Sequence, residues 1–74
     1  MGSIANNPSV QKSIRRLRQM GLKVHLLPEG DNEAFIFVTL DSIVKLIDSK
    51  ITYRNKKTYI EDNFLVINIW RTSR

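Results

Sequence analysis

Cysteine is absent from the 74 residues, and histidine occurs once, at His25. The first absence excludes disulfides and thiolate metal sites; the second excludes an imidazole cluster. Glycine is limited to Gly2, Gly21 and Gly30, so a Gly-rich phosphate cradle of the Walker or dinucleotide type has nothing to be built from. No apolar run is long. Phe35 to Leu40 and Phe64 to Ile69 have strand length, far below the roughly 20 residues that cross a bilayer. The start, Met1-Gly2-Ser3-Ile4-Ala5-Asn6-Asn7, lacks the basic then apolar profile of a secretory leader. The expectation is a cytoplasmic chain with no membrane attachment.

Catalytic chemistry is equally short of material. Ser3, Ser9, Ser13, Ser42, Ser49 and Ser73 have no neighbouring base and no nucleophile elbow, and His25 stands alone on an expected strand. Glu29-Gly30-Asp31-Asn32-Glu33 offers oxygen ligands but lacks the spacing and terminal bidentate glutamate of a calcium loop, and reads as a solvated turn. No enzyme, no metal and no cofactor are expected.

What the chain does have is apolar content of 42%, 26% charged residues and a net charge of +5. That is the composition of a folding chain, although one this short buries only about 60% of its unfolded surface and so has a thin core. The charge is zoned. Lys12, Arg15, Arg16, Arg18 and Lys23 form a block without an acid; Glu29, Asp31, Glu33, Asp41 and Asp48 dominate the next stretch; cations return at Lys50, Arg54, Lys56, Lys57, Arg71 and Arg74.

Asn7-Pro8 reads as an N-cap followed by proline at the first helical position, and Val10, Ile14 and Leu17 recur at helical spacing. Gly21 is placed to stop the helix in a left-handed conformation, which predicts a helix from about Pro8 to Met20. At 100° per residue Lys12, Arg15, Arg16 and Gln19 fall opposite the apolar stripe, with Arg18 on its flank. Leu22 to Leu27 and Phe35 to Thr39 read as a hairpin across the turn formers Pro28 to Asn32. Asp41 is placed to cap a second helix with a broad apolar face of Ile43, Val44, Leu46, Ile47 and Leu40. Ile51 to Tyr53, Thr58 to Ile60 and Phe64 to Trp70 have β character, broken at Asn55-Lys56-Lys57 and Asp62-Asn63; the first break is either a turn or a bulge.

A shift of about 29 residues lays Ser13-Ile14 on Ser42-Ile43, Arg16 on Lys45, Leu17 on Leu46, Leu22 on Ile51 and Phe35-Ile36-Phe37-Val38 on Phe64-Leu65-Val66-Ile67. Either an αββ unit is duplicated or two such units converge on one binary pattern. The expected fold is α+β, in the order αββαββ(β): two helices on one face of an antiparallel sheet of four or five strands. Residues 1–7 are expected to be a flexible segment, and 8–74 a single domain with units 8–40 and 41–70.

Cations three or four residues apart on a helix face can follow phosphates, and arginine adds bidentate contacts. Lys12, Arg15, Arg16, Arg18 and Lys23 are therefore the first candidates for nucleic-acid binding, DNA or RNA. Arg54, Lys56 and Lys57 are a second group, beside Tyr53 and Tyr59, which can stack on unpaired bases if they face outward. The plainer readings are a solvated helix face and tyrosines at the edge of a core. The rival class is a protein-interaction module or accessory subunit meeting an acidic partner; its terminal strand, if it lies on a sheet edge, can pair with a second chain, with Ile69 and Trp70 at the interface. A homodimer would serve either reading. In general style, a short basic αββ chain rich in Ile, Lys, Arg and Asn resembles small proteins of archaea and their viruses; no motif carries functional positions over.

Overall fold

The computed structural model describes residues 3–39 and 53–72. The chain is α+β, with one helix and a four-stranded antiparallel sheet among these residues. A 3₁₀ turn over Ile4–Asn6 leads into helix α1, Pro8–Gln19; strands β1, Val24–Pro28, and β2, Glu33–Thr39, form one hairpin, and β3, Lys56–Glu61, and β4, Phe64–Trp70, form another. The expected second helix from Asp41 lies outside the described residues. So do Ile51 and Thr52 of the fifth-strand alternative, while Tyr53 is not in a strand.

Local chemistry accounts for the helix at both ends. Asn7 Oδ1 accepts hydrogen bonds from the backbone N–H groups of Ser9 (2.8 Å) and Val10 (3.3 Å), and Pro8 occupies the first position without wasting a donor. At the far end Gly21 has φ 89°, its N–H donates to the Arg18 carbonyl (3.0 Å) and the Leu22 N–H donates to the Leu17 carbonyl (3.3 Å). This is the paired hydrogen bonding of a Schellman stop, which needs a left-handed residue where Gly21 stands.

The sheet order is β1-β2-β4-β3, so β2 and β4 are inner strands and β1 and β3 are edges. The condition that the terminal strand lie on an edge is not met: β4 is paired on both sides, from Phe64↔Thr39 to Trp70↔Glu33 on one and from Phe64↔Glu61 to Ile69↔Lys56 on the other. The break expected at Asn55-Lys56-Lys57 is also corrected, because Lys56 and Lys57 belong to β3. Lysine on an edge strand keeps its ammonium in water and discourages further strand pairing.

One sheet face carries Val24 and Leu26 of β1, Ala34, Ile36 and Val38 of β2, and Leu65, Ile67 and Ile69 of β4. These pack with Val10, Ile14 and Leu17 of α1 and with Ile4 in a core whose buried residues, among those described, are all aliphatic. Part of the segment 1–7 contributes to this core. Ile4 is fully buried, and its N–H donates to the Asp31 carbonyl at 2.8 Å, which fixes the chain from the first 3₁₀ turn onward. The shift of about 29 residues fits the strand faces: Ile36 and Val38 share the core face with their equivalents Leu65 and Ile67, and Phe37 pairs directly with its own equivalent, Val66. The two hairpins thus meet about a local two-fold, although their turns differ, Glu29 to Asn32 in one and Asp62-Asn63 in the other. No helix among the described residues is long and apolar enough to cross a membrane.

Candidate nucleic-acid interface

Residues 3–28 contain no acid; the first in the chain is Glu29. Within that stretch the buried stripe of α1 turns Lys12 and Arg15 directly away from the sheet, and both are exposed. Arg16 shares a flank with Ser9 and Ser13 and is also exposed; Lys23 is exposed in the link between α1 and β1. Lys12, Arg15, Arg16 and Lys23 are held in no hydrogen bond or ion pair among the described residues. Arg18 differs. Its Nη2 donates to the Val24 carbonyl at 3.0 Å, tying the last turn of α1 to the start of β1. Arg16 and Arg18 also lie in the last helical turn, where a cation interacts favourably with the helix dipole.

The second group is divided by the fold. Tyr53, half-buried, packs against the core and shares a shallow cavity with Ser9, Val10, Ser13 and Ile36, so its ring is committed to the interior. Arg54 follows directly and is exposed. Lys56 and Lys57 then point to opposite sides of β3, Lys56 to the core side opposite Ile69 and Lys57 to the other side opposite Asn68. Lys57 therefore lies on the face of the sheet away from α1. The proposed interface pair is divided as well: Ile69 is fully buried in the core and unavailable to a partner, whereas Trp70 is 37% exposed on the outer face.

That outer face is what sequence reasoning missed. Strand alternation places Phe35 and Phe37 of β2, Phe64 and Trp70 of β4, and Tyr59 of β3 on the side opposite the core, which is five of the six aromatic residues. Phe35 and Phe37 stack with centroids 6.4 Å apart, and Phe37 meets Phe64 edge-on at 6.1 Å. Leu27 and exposed His25 extend the face on β1, and Val66 is buried at its centre. Asn68 spans the face, its Nδ2 donating to Glu33 Oε2 (3.1 Å) and to the Ala34 carbonyl (3.2 Å). The available signal was the unbroken apolar character of Phe35 to Val38 and Phe64 to Ile67, which marks strands apolar on both faces.

The acidic loop also has a structural role. The Glu29 N–H donates to the Glu33 carbonyl (2.8 Å), and Arg71 grips Asn32 twice, N–H to carbonyl and Nε to Oδ1, each at 2.9 Å. Among the described residues no group of three or more His, Asp or Glu is placed to hold a metal ion. Comparison with protein-family models, with curated proteins and with solved structures finds nothing that matches this chain.

Proposed function

We propose that this chain is a non-enzymatic nucleic-acid-binding protein that holds phosphates along the outward face of α1. The observation that carries this reading is the exposed set Lys12, Arg15, Arg16 and Lys23, unengaged among the described residues, on a stretch without an acid. Each phosphate neutralised by such a cation releases counterions, so affinity falls steeply with salt. Arg18, already bonded to the Val24 carbonyl, contributes long-range charge more than contact. Backbone contact carries no base sequence information, so binding is weakly selective for sequence.

Fluorescence anisotropy of labelled DNA and RNA over a salt series tests this. Three or four phosphate contacts give a slope of log affinity against log salt of about −3. Arg15→Ala with Arg16→Ala lowers low-salt affinity about tenfold or more and reduces the slope by about 2. Absence of binding at low salt, or a double variant that binds as the parent does, rejects the reading. A discrete protein complex with little salt dependence would favour the accessory-subunit alternative. Its contact would then involve Trp70 or an edge strand, β1 or β3.

A further inference from the structure

We propose that the outer aromatic face of the sheet binds a second copy of this chain, giving a weak two-fold dimer joined sheet to sheet. This goes beyond the nucleic-acid reading and does not depend on it, because α1 and its cations lie on the other side of the sheet.

The face has the make-up of an interface centre. Strand parity puts Phe35, Phe37, Tyr59, Phe64 and Trp70 on it around a buried Val66, and no described element lies over them. The described chain resumes at Tyr53, which packs on the side of α1. An apolar patch of this kind with polar residues at its margin marks a protein contact.

Charge selects a second copy as the occupant. The chain carries +5, yet the outward strand positions hold Glu33 and Glu61 against a single described lysine, Lys57. A face so close to neutral does not repel its own copy. Lys57 and Glu61 are also placed for each other across a two-fold. Both are outward and exposed on β3, two positions either side of Tyr59, and neither is held in a hydrogen bond or ion pair among the described residues.

In a closed dimer, any contact between two residues recurs with the copies exchanged. An axis lying across the strands at the level of Tyr59 reverses the direction of β3, which sets Lys57 of one copy over Glu61 of the other, and the reverse. The same axis follows the outward row Tyr59, Val66, Phe37 and His25, one residue from each strand in register. The rings and Val66 then form the middle of the contact, and two ion pairs lie at its rim. Sheets packed face to face sit about 10 Å apart, and each α1 lies beyond its own sheet, so the two basic helix faces are further apart than a Debye length at physiological salt.

Area sets the strength. Four strands about 4.8 Å apart and about six residues long give a flat footprint on the order of 400 Å², which side-chain relief raises toward the roughly 600 Å² per partner of the smallest specific interfaces. Such a contact is reversible, with a Kd on the order of 100 µM.

Sedimentation velocity of the whole chain, freed of nucleic acid, from about 5 to about 1,000 µM brackets that value. Mass rising from one copy to two is expected. A monomer at every concentration, or growth past two copies, overturns the dimer. Lys57→Glu sets carboxylate against carboxylate and weakens association about fivefold or more; Glu61→Lys does the same with two ammonium groups, and the two changes together restore it. Both positions are exposed, so all three variants keep the circular dichroism spectrum of the parent. A dimer indifferent to the single changes lies on another surface and overturns the proposal. Arg15→Ala with Arg16→Ala is expected to dimerise as the parent does, so failure to bind nucleic acid and failure to dimerise are read separately. Loss of the dimer in that variant would move the contact to α1 and overturn the sheet face.

Discussion

On one side of the sheet Ile36, Val38, Leu65, Ile67 and Ile69 lie under α1 and residues 4–6, none more than 1% exposed; on the other, Phe35, Phe37, Tyr59 and Phe64 are half-buried and Trp70 is 37% exposed. Both sides are apolar, but they use different side chains. Branched aliphatic residues gain only from exclusion of water and close packing, so they are worth most where sealed. Aromatic residues keep an electrostatically structured face that remains useful when partly open. The segregation separates what is sealed from what stays partly open.

The comparison is sharpened first by cutting into the sealed side. Ile67→Ala, at a fully buried position, is expected to cost about 3 kcal/mol, measured by urea denaturation. That is a large share of the stability of so short a chain. Phe37→Ala on the open side removes a larger side chain yet is expected to cost only about 1–2 kcal/mol, because the ring is half-buried in the folded state. A loss equal to that of Ile67→Ala would break the comparison and make the outer face a second core. Asn7→Ala, which strips α1 of its cap, is expected to cost about 1 kcal/mol, seen as a lower thermal midpoint by circular dichroism. The smallest effect on stability belongs to Arg15→Ala with Arg16→Ala, within about 0.5 kcal/mol, although the same pair gives the largest loss of phosphate binding.

Much of the sheet was legible because its residues follow simple periods. Val10, Ile14 and Leu17 announced α1, and Phe64 to Trp70 announced β4 to the residue. The place of β4 within the sheet was not legible from its position near the end of the sequence. It could have been read from its composition, since an edge strand rarely spends apolar residues on both faces, whereas Lys56 and Lys57 suit an edge. Lys56 and Lys57 were instead read as a break, because charge resembles a turn signal when strand order is unknown. Ile4 offered no periodicity; its burial depends on the Asp31 carbonyl, a partner 27 positions away that no local pattern discloses. The helix cations were legible from spacing alone. The outer aromatic face required strand parity and register, and so became visible only with the sheet assembled.

The loop between β1 and β2 has a consequence for how the chain tolerates change. Two consecutive carbonyls, those of Asp31 and Asn32, receive the N–H groups of Ile4 and Arg71, so residues near both ends of the described chain are moored to one turn. Because the acceptors are main-chain atoms, replacing the Asp31 side chain leaves its mooring in place. Altering the length of the turn does not. A hairpin tip is ordinarily among the safest places to insert residues, but lengthening this one displaces both acceptors at once and releases the first and last segments together.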